Sequence, residues 1–151
     1  MDEIERFIVD AKAACYVANG LIERSSRPES HDLSFHRDDW AYLDSYYGGT
    51  DFLGQEVVWH SGNPVWAMNY YGRVTDAALI DAERAGAVIK SALSDLYRQG
   101  RFLGGFACHV LGFDYVDRSD GNYRCFSGVE RILKGGLEAY RLDYNGGLIR
   151  P

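Results

Sequence analysis

At the amino end, apolar positions recur at steps of three and four: Ile4, Phe7, Ile8, Ala11, Cys15 and Ala18 share one face. That period predicts an amphipathic helix, opened by Asp2 with Glu5 and stopped at Asn19-Gly20. Residues 20–39, including "ERSSRPESHD", carry no such period and are expected as a long polar loop. From Trp40 the period becomes two. "WAYLDSYY" predicts a strand, Gly48-Gly49 a turn, Phe52 to His60 a second strand, "SGNP" a turn, and Val65 to Val74 a third strand. Helical spacing returns from Asp76 to Gly100, with Ala78, Ala82, Ala85, Ile89, Ala92, Leu93 and Leu96 on one face and the two end residues as caps. Gly86 costs this helix on the order of 1 kcal/mol against Ala and marks a place where it could break.

After a glycine-rich connection, "FDYVDRSDGNYRCFSG" carries Asp120-Gly121 between alternating runs, a hairpin signal. Closing there sets Asp117 opposite Arg124 and Tyr115 opposite Phe126. "VERILKGGLEAYRLDY" turns at Gly135-Gly136, which sets Glu130 opposite Arg141. The sum is an α+β fold: an antiparallel sheet of about six strands built from hairpins, with an N-terminal helix and one long inserted helix packed on it. No internal repeat, linker or low-complexity segment stands out, and residues 1–151 are expected as one domain.

If the "SGNP" turn centres on Gly62-Asn63, Trp59 faces Trp66, Val57 faces Met68 and Gln55 faces Tyr70, a large aromatic face suited to a core. The opposite face pairs Val58 with Ala67 and Glu56 with Asn69, and regular alternation adds Tyr71 and Arg73. Small residues beside a carboxylate, an amide, a phenol and a guanidinium are what a ligand site needs. The same pattern is also the ordinary polar face of a half-exposed sheet. Asp44 and Tyr46 share one side of the preceding strand, and the Gly-Gly turn leaves open whether Asp44 meets Glu56. A paired carboxylate of that kind would raise one pKa and supply a general acid.

Composition narrows the function classes. A hydrophobic fraction of 46% and an aromatic fraction of 14% describe a packed core. The net charge of −6, without a basic stripe, argues against direct nucleic-acid binding. Cys15, Cys108 and Cys125 form no CxxC pair and are expected as reduced, buried thiols in a cytoplasmic protein, Cys15 acting as a small hydrophobe. The acidic, amphipathic N-terminus is no secretory signal and no apolar run approaches a membrane span. His31 and His36 with Asp32, Asp38 and Asp39 lack metal-site spacing, so neither metal nor cofactor is expected. His109 is expected as a satisfied, partly buried histidine.

"FIVDAKAACYVANG", "SSRPESHDL", "YLDSYYGGTDFLGQEVVW", "PVWAMNYYGRV", "FSGVERI" and "YRLDYNGGLI", taken in order, resemble a bacterial family of uncharacterised proteins known as a domain of unknown function. Members sometimes follow an XRE-type helix-turn-helix in regulators. The resemblance implies a sensing or interaction role and brings no catalytic residues. With no helix-turn-helix expected ahead of the first helix, a regulatory role is expected to need a partner. Three readings follow. In one, the chain is a binding module receiving a small polar ligand or a peptide at Glu56, Asn69, Tyr71 and Arg73, with Asp44 and Tyr46 nearby. In another it is a small hydrolase or nuclease-like, toxin-type enzyme using Glu56 or Asp44 with Arg73. In the third, the same face joins copies in a homo-oligomer.

Overall fold

The computed structural model describes residues 1–17 and 21–150. Helix α1 (Glu3–Lys12) runs into a π-helical turn, Ala13–Val17. Then come β1 (Leu21–Glu23), β2 (His31–Arg37), β3 (Trp40–Gly48), β4 (Phe52–His60) and β5 (Asn63–Val74). Helix α2 (Ala82–Arg98) leads to β6 (Phe106–Val110), β7 (Phe113–Asn122), β8 (Cys125–Lys134) and β9 (Leu137–Leu148). The strands form one antiparallel sheet in the order β1-β2-β3-β4-β5-β9-β8-β7-β6. The α+β class and the two helices agree with the sequence. The strand count does not: eight strands of five to twelve residues, plus the three-residue β1, stand where about six were expected.

Each departure has a physical cause. β2 lies inside the stretch expected as loop because its polar alternate residues are buried by chain rather than by apolar packing. Asp32 accepts from the Ser26 amide and the Ser45 hydroxyl, and Arg27 donates to the Ser45 hydroxyl and carbonyl. Helix α2 begins at Ala82 rather than Asp76 because Asp81 supplies the N-cap, accepting from the Arg84 amide at 2.8 Å. Asp76 instead holds a turn that buries Ile80. The helix passes Gly86 unbroken. On α1 and the π-helical turn after it, Phe7, Ile8, Ala11 and Cys15 are buried as the period required; Ala18 and the Asn19-Gly20 stop lie outside the described residues.

Three hairpins slip from their expected register. The β4–β5 turn is Ser61-Gly62, both at positive φ, as a two-residue hairpin turn requires. A bulge between Val58 and Trp59 then makes Val65 an extra residue, so Val58 faces Trp66 and Glu56 faces Met68. An odd shift sends every side chain beyond it to the other face. In β8–β9 the Gly135-Gly136 turn is as expected, yet a bulge between Ile132 and Leu133 puts Glu130 opposite Leu142 and Arg131 opposite Arg141. The β7–β8 turn is Tyr123-Arg124 rather than Asp120-Gly121, and Asp117 faces Glu130. Gly121 is needed one step earlier, at φ +89, where a Cβ would strike the Cys125 carbonyl.

These registers expose an internal repeat that the linear sequence hid. "YLDSYYG" of β3 corresponds to "YVDRSDG" of β7, "FLGQE" of β4 to "FSGVE" of β8, and "YYG" of β5 to "YNG" of β9. Gly48 and Gly121 sit at φ +96 and +89 in matching surroundings, and the two bulges fall at equivalent places. Along the β5–β9 seam Tyr70 faces Tyr144, Met68 faces Gly146 and Gly72 faces Leu142. Equivalent residues thus contact one another reciprocally, the relation of an isologous interface. The sheet is two four-stranded meanders, β2–β5 and β6–β9, joined along a local twofold, with β1 added at one edge.

Inward glycines make room for rings laid flat on the sheet. Tyr70 covers Gly54, Phe52 covers Gly72, and Tyr144 covers Gly128. Because a Cβ on Gly128 would run into the Tyr144 ring, Gly128→Ala is expected to destabilise by about 1–3 kcal/mol. Gly86→Ala meets nothing and should stabilise by up to about 1 kcal/mol. Urea unfolding of the two variants checks the contrast.

Candidate functional site

The bulge in β5 decides where the sequence-predicted site residues go. Glu56 turns inward with Val58, Trp66, Met68 and Tyr70, and is buried. Asn69 and Tyr71 stay on the outer, exposed face, Arg73 is part-buried there, and Gln55 rather than Glu56 pairs with Asn69, donating at 2.9 Å. Arg73 reaches Asp143 at 3.2 Å and stacks over Tyr71 at 5.2 Å. The expected cluster of Glu56, Asn69, Tyr71 and Arg73 is therefore split across two faces of the sheet, and Arg73 cannot assist chemistry at Glu56. Asn69 and Tyr71 line an outer depression with Arg118, Arg131, Arg141 and Asp143.

Inside, the pairing left open by the β3–β4 turn is made: Asp44 faces Glu56 across the strands. Both are buried, at 0% and 1% exposure. Lys12, the last residue of α1, brings its ammonium to 2.7 Å from each Glu56 oxygen. Asp44 accepts from Tyr16 at 2.5 Å and from Tyr70 at 2.6 Å, and Tyr16 also reaches Glu56 at 3.2 Å. Burial first, and the Asp44 carboxylate second, push both tyrosines upward, so their hydroxyls remain protonated donors. Asp44 itself is raised, by burial and then by the Glu56 charge. Tyr46, half-buried on the same side, stands against His31 and Phe52.

The repeat supplies a second, equivalent pair that sequence reasoning missed. Asp117 faces Glu130, each 6% exposed. Tyr144 donates to Asp117 at 2.7 Å and Tyr115 to Glu130 at 2.5 Å. Burial raises both carboxyls, Glu130 to about 7, with the Tyr115 hydrogen bond opposing and the Asp117 charge adding. The available signal was the recurrence of Tyr-x-Asp and Gly-x-Glu at matching places in the two meanders.

Both pairs line one cavity of about 470 Å³ between the inner face of the sheet and the helices. Its wall includes the rings of Tyr46, Phe52, Tyr97 and Tyr140 among aliphatic side chains, and its rim carries exposed Gly48, Gly49, Thr50, Ala82 and Gly86. A Cβ on Gly86 would meet no atom, so packing does not require this glycine; it leaves the rim open. Cys15 is buried beside the first pair, where burial and then the Asp44 and Glu56 charges push its thiol up to about 12, which removes it as a nucleophile. Cys108 is half-buried and Cys125 exposed, so only Cys15 is the buried thiol expected. His109 is exposed and meets Asp114 at 2.7 Å, contrary to the buried role expected of it. Among the described residues no group of three or more His, Cys, Asp or Glu could hold a metal ion, and no helix is long and apolar enough to cross a membrane.

No curated protein and no solved structure is significantly similar to the chain. A family model does match, over residues 44–149, a span that begins at Asp44 and takes in both carboxyl pairs and the twofold seam. The chain belongs to the family described as Domain of unknown function (DUF5680).

Proposed function

We propose that the protein is a small-molecule-binding module and that its site is the interior cavity rather than the outer face. One observation carries this reading: a space of about 470 Å³, lined by aromatic and aliphatic side chains, holds buried carboxyl oxygens of Asp117 and Glu130 that make no close hydrogen bond among the described residues. Buried polar atoms are ordinarily hydrogen-bonded, and an apolar concavity with a few directed polar groups is the usual form of a ligand site. Asp44, Glu56 and Tyr46 keep a place in this reading as cavity residues; Asn69, Tyr71 and Arg73 do not. A sensing role, with occupancy passed to a protein partner, accords with a domain that has space for a ligand.

Nuclear magnetic resonance with 2-phenylethanol, a neutral ring with one hydroxyl, tests the site. The alcohol should shift signals of Tyr46, Phe52 and Tyr140, and Gly86→Phe, which places a ring at the rim, should abolish the shifts while Gly86→Ala retains them. Shifts confined to Asn69, Tyr71 and their outer-face neighbours, or none at all, would remove the cavity as the site.

A further inference from the structure

The two halves of the sheet offer an internal comparison. In the first, all four oxygens of the pair have donors: Tyr70 and Tyr16 on Asp44, and Lys12 on both oxygens of Glu56. In the second, the sheet's own donors are in place, Tyr144 on Asp117 Oδ1 and Tyr115 on Glu130 Oε2. Asp117 Oδ2 and Glu130 Oε1 have no hydrogen-bond partner among the described residues. These are the places that the first half fills from α1 and the turn after it, with an ammonium and a hydroxyl. Helix α2 covers the second half with Ala85, Val88 and Ala92 packed against Tyr115, Ile132 and Tyr140. Arg101, which acts on Asp117 from a distance, spends its guanidinium on the Leu103 and Gly105 carbonyls and on Gln99.

Resting on the cavity reading above, we infer that the ligand is a primary amine, its ammonium held between Asp117 and Glu130 as the Lys12 ammonium is held at Glu56. The donor count supports this class. An alkylammonium carries three N–H donors, and the second half presents two carboxyl oxygens outside any close hydrogen bond, Asp117 Oδ2 and Glu130 Oε1, with the Tyr140 hydroxyl, a donor toward Glu130, beside them. Two carboxyls without a third ligand do not make a metal site. Aromatic walls suit the apolar body of such a ligand and attract its charge. Lys12 shows what the fold accepts: its ammonium, on the same kind of carboxyl pair, lies 5.6 Å from the Tyr16 ring and 5.7 Å from the Phe102 ring.

Calorimetric titration with 2-phenylethylamine and with 2-phenylethanol, which differ in the ammonium alone, separates this inference from the reading beneath it. Wild type should bind the amine at least about tenfold more tightly than the alcohol, the gain expected of one charge-assisted site. The Asp117→Asn/Glu130→Gln double variant, and Glu130→Gln alone if the double variant does not fold, should lose that preference, the amine binding no more tightly than the alcohol does to the same variant. Equal affinities in wild type would overturn the amine and leave the cavity standing. A preference that survives the substitutions would place the ammonium elsewhere and overturn the inference too. Binding of neither compound would remove both readings together.

Discussion

Lys12→Met is expected to destabilise the protein by about 3–5 kcal/mol, read as a lower urea midpoint at unchanged slope. Lys12 is 5% exposed, and its ammonium lies 2.7 Å from both oxygens of a carboxylate that is itself 1% exposed. Methionine keeps most of the stem, and the Met68 sulfur that the ammonium touches at 3.5 Å is an apolar neighbour, so packing changes little. What disappears is the cation paired with Glu56, and Glu56 stands opposite a second carboxyl, Asp44. Removing one member of a buried pair leaves an uncompensated charge, which costs far more than the pair contributes as a whole. Lys12→Met/Glu56→Gln should therefore recover most of the loss, because the amide carries no charge and still accepts from Tyr16. A single variant that loses under about 1 kcal/mol, or a double variant no better than the single, would show that the pair does not anchor α1 to the sheet.

The second large effect is in pH. Glu130 is buried and lifted to about 7, against an unfolded value near 4.3. The folded protein therefore holds a proton that the unfolded chain has released, so this contribution is complete below the unfolded value and disappears as pH rises through about 7. Its size is on the order of 3 kcal/mol, and Asp44 and Asp117, also raised, act in the same direction. Asp32 works oppositely: burial is outweighed by its hydrogen bonds from Ser26 and Ser45, its carboxyl sits at about 2, and its contribution is lost only in strong acid. Unfolding free energy should thus fall between pH 5 and pH 8. Glu130→Gln, neutral throughout and able to accept from Tyr115, should flatten much of that fall and be more stable than wild type at pH 8. A wild-type curve flat or rising across that interval, or a variant with an undiminished slope, would contradict the buried-carboxyl account.

Much of the framework is legible in residue periodicity, because α1, α2 and β3 to β5 each bury an apolar stripe of the right period. Asp44 and Glu56 could also be picked out as a carboxyl pair. What escaped were single-residue events. Val65 and Ala139 are extra residues in bulges, and nothing about a valine or an alanine announces that role. One such residue reversed the face of Glu56 and dissolved its grouping with Asn69, Tyr71 and Arg73. β2 escaped because its buried alternate positions are Asp32 and Ser34, polar residues, with Asp32 held by the Ser26 amide and the Ser45 hydroxyl. The repeat escaped for a related reason. Inward and turn positions match, such as Gly54 with Gly128 and Tyr70 with Tyr144, while outward ones differ, such as Ser45 with Arg118 and Gln55 with Val129. One additional residue in the β7–β8 turn also breaks the constant spacing that reveals tandem repeats.

The reciprocal seam through Tyr70 and Tyr144 carries a consequence for how the halves can differ. In an assembly of two identical subunits, any substitution appears on both sides of the axis, so a lysine closing one carboxyl pair would close its counterpart as well. Here the axis lies within a single polypeptide, and Lys12 is encoded once. One half can be committed permanently to holding the N-terminal helix while its twin carries no such lysine, an asymmetry that a symmetric dimer cannot adopt.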